Sequence, residues 1–288
     1  MKAIKLASIF AVSAVAAAVS TTTLAAEPVF KGTAGLEYKA FADDAGTDAA
    51  NSQGEVNIIG DTGLVYFDLD MEGATTSSDG GFDLDEIYVK TGAVMFGDFD
   101  GSLADAAAFS AGVEEDNDDA KEDLGDDLAI RYAVSDSLTI AAEIAEGDST
   151  GTASFAFETQ VDIATIGVSG AYKFTSDIDN VILTLGVSVP VGDMLSVSAF
   201  YQGGSLADAD VSNIGLGLDL AITEEFTAAL QHYSQEGESA VGTDYADQGV
   251  TEATLNYQPG DIRYYFSYVD YEADATADYS VVGAEASF

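Results

Sequence analysis

The sequence predicts an all-β chain: a transmembrane antiparallel β-barrel of about 16 strands, with its long third loop folded into the lumen. Three observations predict it. Hydrophobic residues make up 47% of the chain, yet they alternate with polar ones at period two along one segment after another. Most segments have the length a tilted strand needs to cross a bilayer, about 9–11 residues. The joins between them also alternate, with tight turns at one end of the strands and longer polar loops at the other.

The chain opens with Lys2 and Lys5, an apolar run from Leu6 to Val19, and a small-residue stretch ending in Ala25 and Ala26. That order predicts a secretory signal over residues 1–26, removed on export, and a barrel over 27–288. The apolar run is short and rich in alanine, which disfavours a membrane anchor. There is no cysteine, so neither a disulfide framework nor a thiolate metal site is open to an exported chain. With 9 basic against 51 acidic residues the net charge is −42, and nucleic acid is excluded as a partner because no basic patch can neutralise phosphates. The regular alternation separates this acidity from that of a disordered tail.

Taken in order, strands are expected near 29–42, 53–60, 63–72, 83–91, 93–99, 126–134, 138–146, 153–161, 163–174, 181–189, 194–202, 211–221, 226–235, 249–258, 262–272 and 279–288. In the third, Val65, Phe67, Leu69 and Met71 oppose Tyr66, Asp68, Asp70 and Glu72. In the sixth, Leu128, Ile130, Tyr132 and Val134 oppose Ala129, Arg131 and Ala133. Tight joins fall at 60–63, Gly92, 135–137, 190–193, 223–225 and 259–261, and longer loops at 43–53, 74–81 and 237–248. The turn near Asp162 is placed partly because the short and long joins would not alternate without it, and its loss would leave fourteen strands. Pro190 and Pro259 sit in short turns, where no ladder hydrogen bond is lost. A soluble sandwich also alternates. Here the face opposite the apolar one carries isolated charges, which suits a lipid-facing exterior around a wet interior.

The organising stretch is Phe96 to Asp127, which begins FGDFDGSLADAAAF and ends EEDNDDAKEDLGDD. A gap of that length in a compact structure is more often functional than not. We expect it to form a constriction loop over about 98–126. Sixteen strands enclose an aqueous channel, and a ring of carboxylates inside it favours cations. The candidates are Asp98, Asp100 and Asp105 at the root and Glu114, Glu115, Asp116, Asp118, Asp119, Glu122 and Asp123 in the acidic run. Strand parity turns Lys39, Asp68, Asp70, Lys90, Arg131, Glu143, Lys173 and Arg263 toward the pore wall, with Glu37, Glu158, Asp219 and Glu252. The balance is negative, which argues against an anion channel.

The signal, the alternation, the FGDFDGSLADAAAF stretch after the fifth strand and the terminal Phe288 together resemble the general porins of Gram-negative outer membranes. The resemblance implies a homotrimer of water-filled barrels passing small hydrophilic solutes, with no reaction and no cofactor. It also implies that the last strand pairs with the first and that Phe288 serves as a signal to the outer-membrane assembly machinery. The Pro-Glu-Phe-Gly-like loop tip of the family is absent, as is tryptophan.

Phe30, Tyr38, Tyr172, Phe174, Tyr257, Tyr264, Tyr268 and Phe288 lie near strand ends and are expected to form aromatic girdles at headgroup depth. Tyr66, Tyr88, Phe200, Tyr233 and Tyr265 point inward, which keeps a saccharide-preferring channel open. From a different class, His232 and Ser234 share one strand face and resemble the pair of outer-membrane phospholipases, whose nucleophile needs a neighbouring base and a third, orienting group. The run DNDDAK at 116–121 lacks the glycine and downstream ligands of a calcium loop, so no metal site is assigned. Loose bridging by divalent ions between external carboxylates and lipopolysaccharide phosphates remains compatible with the sequence.

Overall fold

The computed structural model describes residues 29–42, 48–74, 81–99, 103–109, 128–144, 151–174, 180–206, 209–238, 245–272 and 278–288. The expected signal segment lies outside them. The first five strands are β1 (Val29–Phe41), β2 (Ala49–Asp61), β3 (Val65–Ala74), β4 (Gly81–Thr91) and the short β5 (Val94–Asp98). The next five are β6 (Leu128–Ser135), β7 (Leu138–Ile144), β8 (Gly151–Val161), β9 (Ala164–Phe174) and β10 (Asn180–Val191). The wall is completed by β11 (Leu195–Leu206), β12 (Ala209–Ala221), β13 (Phe226–Glu238), β14 (Tyr245–Tyr257), β15 (Ile262–Tyr271) and β16 (Tyr279–Ser287). Each strand pairs antiparallel with its chain neighbours, and β1 pairs with β16 to close the barrel. Closure leaves no open sheet edge, so every strand can satisfy its backbone without water.

The two faces of each strand separate cleanly. Along β10, Val181, Leu183 and Leu185 are exposed while Ile182 and Thr184 are buried. The exposed row is outside and apolar, and the same holds for Leu216, Leu218 and Leu220 on β12 and Phe266 on β15. All eight aromatics expected in the girdles are exposed. The inner row mixes polar with apolar residues: Thr139, Glu143, Thr152, Ser169, Thr184, Gln202, Asn213, Gln231, Glu252 and Ser267 are all buried, alongside Ile182, Phe200, Val250 and Val269.

The β8–β9 turn is real. Asp162 adopts φ 58°, the left-handed conformation that a short polar side chain tolerates better than most residues. At the closing seam the Gly32 amide donates to the Phe288 carbonyl at 3.0 Å, and the Phe288 amide donates back to Gly32 at 2.9 Å. The Phe288 ring covers Gly32 so closely that a Cβ there would lie 2.5 Å from it.

One irregularity changes which residues face the lumen. Between β3 and β4 the register runs Asp68 opposite Glu86 and then Leu69 opposite Leu84, so Asp85 bulges out of the ladder. A bulge inserts one residue and inverts the alternation beyond it. Glu86 and Tyr88 therefore share the inner row with Asp68 and Tyr66, while Leu84 keeps the outer one.

Candidate functional site

The loop leaves the wall at Gly97. Its φ of +150° is open to glycine and costly for other residues, and a Cβ there would lie 2.6 Å from the Tyr88 Cα. β5 ends one residue later and Phe99 turns inward, 2% exposed. Its ring stacks on Tyr88 with centroids 4.7 Å apart, and Tyr88 stacks on Tyr66 at 4.9 Å. The Arg131 guanidinium sits 4.0 Å from the centre of the Phe99 ring. In a desolvated setting such a cation–π contact contributes about 2 kcal/mol.

Residues 103–109 then lie against the far wall. The Ala104 carbonyl accepts from Ser169 Oγ on β9 at 2.7 Å and from Thr184 Oγ1 on β10 at 3.1 Å. The Ala107 amide donates to Ser169 Oγ at 3.1 Å. Leu103, Ala104 and Ala107 are buried there, and Ala108 packs on an inner apolar cluster that includes Phe200, Tyr233, Tyr265 and Tyr279. The loop thus starts at β5 and reaches strands four and five places round the wall.

No family model matches the sequence, and no curated protein matches it. Solved structures do match. Salmonella typhi OmpF, in complex with daunomycin, superposes with a TM-score of 0.68 at 12% identity, over 92% of this chain and 100% of that one. A Rhodopseudomonas blastica porin variant gives 0.63 at 15% identity, over 91% and 100%. OmpT of Vibrio cholerae with its loop L8 deleted, an outer membrane protein, gives 0.61 at 15%, over 91% and 99%. The fold is that of the general porins. At these identities the likeness concerns the barrel alone.

Within the porin fold, the expected wall bases lie in the inner rows and four of them rest on aromatic rings. The Lys39 Nζ is 3.5 Å from the Tyr279 ring centre, and Lys90 lies 5.3 Å from that of Tyr88 while pairing with Asp61 at 2.9 Å. Arg131 covers Phe99, and Arg263 lies 4.5 Å from the Tyr265 ring centre and 3.9 Å from Glu285. Lys173 is registered between Thr152 and Asn180. Among the acids, Glu143 accepts from Ser154 Oγ, Glu252 accepts from Thr254 Oγ1 at 3.0 Å, and Glu37 accepts from the Tyr265 hydroxyl at 3.3 Å.

Asp68 and Asp70 lie in the inner row, with Asp68 directly opposite Glu86. Like charges placed directly across a ladder repel. Plain alternation does not single out Glu86, because only the bulge ties its row to that of Asp68.

Asp98 departs from expectation. It is registered against Ile87 and Leu128, both on the outer row, because Gly97 occupies the inward position beside Tyr88. Asp105 is half-buried inside the seated stretch, where its carbonyl accepts from the Ala108 amide at 2.8 Å. Asp100, Glu114, Glu115, Asp116, Asp118, Asp119, Glu122 and Asp123 lie outside the described residues. His232 and Ser234 take the outer row. The His232 Nδ1 lies 2.9 Å from Thr251 Oγ1 on β14, while Ser234 is registered between Ile214 and Gly249.

Proposed function

We propose that the protein is an outer-membrane diffusion channel for small hydrophilic solutes and ions, with a preference for cations. The observation that carries the reading is a loop pinned across the lumen of a barrel with an apolar outside and an inside rich in polar groups. A loop seated on the inner wall in this way suits passive sieving better than a plug that must be expelled. Cation preference is supported by the imbalance of the inner wall. Lys39, Lys90, Arg131 and Arg263 are held on rings, so their charge is anchored at the wall, and Asp61 and Glu285 offset two of them. The Asp68, Asp70 and Glu86 patch faces the same space, and a narrow low-dielectric passage focuses its field.

The same reading covers export by the signal at 1–26, delivery to the outer membrane of a Gram-negative bacterium, insertion by the assembly machinery through Phe288, and association as a homotrimer. Membrane lipid and lipopolysaccharide are the expected surroundings of the apolar belt. A saccharide track is less well supported. Tyr66 and Tyr88 stack on one another, Tyr88 also stacks on Phe99, and Phe200, Tyr233 and Tyr265 are buried, so these five do not offer an open row of ring faces.

The test is the reversal potential of the refolded protein in a planar bilayer under a salt gradient. Stepwise conductance with a cation-selective potential is expected. The triple variant Asp68→Asn, Asp70→Asn, Glu86→Gln should keep the conductance steps and move the potential toward zero. An unchanged potential would remove these three residues from the selectivity mechanism, and an anion-selective parent would sink the preference altogether.

A further inference from the structure

We infer that a neutral latch on the inner wall of β9 to β12, built from Ser169, Thr184, Gln202, Asn213 and the inward glycines Gly167 and Gly186, fixes where the loop crosses the lumen and so sets the size cutoff of the pore. The inference rests on the channel reading. It concerns positioning residues and not groups that touch the solute.

The latch is a continuous chain of donors. Asn213 Nδ2 donates to Gln202 Oε1 at 2.9 Å, Gln202 Nε2 donates to Thr184 Oγ1 at 3.0 Å, and Thr184 Oγ1 donates to the Ala104 carbonyl at 3.1 Å. Three strands thus hand one hydrogen-bond direction to a single loop carbonyl, and Ser169 adds a second donor to it. Bonds in series polarise one another, so the terminal bond gains from those behind it. Gln202 and Asn213 have no exposed surface, so the groups that form this chain are out of reach of passing solutes.

Shape supports the same role. Gly167 and Gly186 are registered opposite each other on the inner face, leaving a groove where two side chains would stand. The loop fills it. A Cβ on Gly167 would come 2.7 Å from the Phe109 ring and 3.0 Å from the Ala107 Cβ, and a Cβ on Gly186 would overlap the Ala107 carbonyl oxygen. Alanine at 104, 106, 107 and 108 lets the stretch lie flat in that groove.

The bonds at the seat carry no formal charge, while the chain as a whole carries −42. Salt screens interactions between exposed charges and leaves neutral, buried hydrogen bonds almost untouched. The loop position should therefore hold across ionic strengths that alter the selectivity.

Because the chain lacks cysteine, two introduced ones report without interference. Spin labels on Ala106→Cys, in the seated stretch, and Asp193→Cys, in the exposed β10–β11 turn, give a distance distribution in the refolded barrel. It should be narrow, and the same at low and high salt. Gly186→Ala should broaden and shift it, and the polymer-exclusion cutoff of the channel should move with it. Ser169→Ala with Thr184→Val should do the same without adding bulk, and Ser169→Ala with Thr184→Ser should restore the part that depends on the Thr184 hydroxyl. If Gly186→Ala does not fold, the hydroxyl variants decide. A distance that ignores all these substitutions, or a parent distance that changes with salt, overturns the latch. A distance that responds in a protein that does not conduct keeps the latch and removes the channel reading.

Discussion

An arginine in place of Leu185 should cost the folded barrel about 2–4 kcal/mol in lipid vesicles, as expected for a charge facing lipid near the bilayer midplane. Leu185 lies midway along β10, 47% exposed, registered against Val168 and Tyr201 in the outer row. Urea titration of refolding in vesicles gives the number. The informative partner is Ser188→Lys, three residues along the same strand in the inner row, opposite Thr165 and Ser198. Facing water, that charge should cost well under 1 kcal/mol, the ordinary range for a surface substitution. Similar costs for both variants would mean that the apolar face does not meet lipid and that the barrel has been read inside out.

Sequence alone carries this inside-out distinction because side-chain period and barrel geometry are the same fact: every second residue faces lipid. Closure of sixteen strands was legible for that reason, including the β8–β9 turn, where Asp162 supplies the left-handed residue that a more rigid side chain would resist. What alternation does not carry is a change of phase. The Asp85 bulge joins Glu86 to the row of Asp68, and nothing in the run FDLDEIYVK marks it. Asp98 fails for a related reason, since Gly97 takes the inward place and leaves its neighbour outside. Gln202 and Asn213 show a third limit. Each is an ordinary inward polar residue in its own strand, and their joint role exists only once β10, β11 and β12 lie side by side.

Gly97→Ala should destabilise the barrel by at least about 1–3 kcal/mol, the usual cost of holding a non-glycine residue in a glycine-only conformation. The steric part comes on top, because the new Cβ would press on the Tyr88 backbone and on the Ile87 carbonyl, neither of which can move without breaking the β4–β5 ladder. Gly63→Ala provides the comparison. Gly63 also has a positive φ, 78°, but a Cβ there meets nothing within 4 Å, so only the backbone cost of about 1 kcal/mol should appear. The two variants differ in consequence as well as in size. The strain at Gly97 can be relieved by letting β5 relax and Phe99 slide off Tyr88, which would take the ring out from under Arg131 and loosen the root of the loop. Near-UV circular dichroism, in a chain whose aromatics are all tyrosine and phenylalanine, should then lose part of its signal in Gly97→Ala and keep it in Gly63→Ala. Equal stability and equal spectra for the two variants would mean that the loop does not depend on the Gly97 kink, leaving the seat on β9 and β10 as the element that holds it in place.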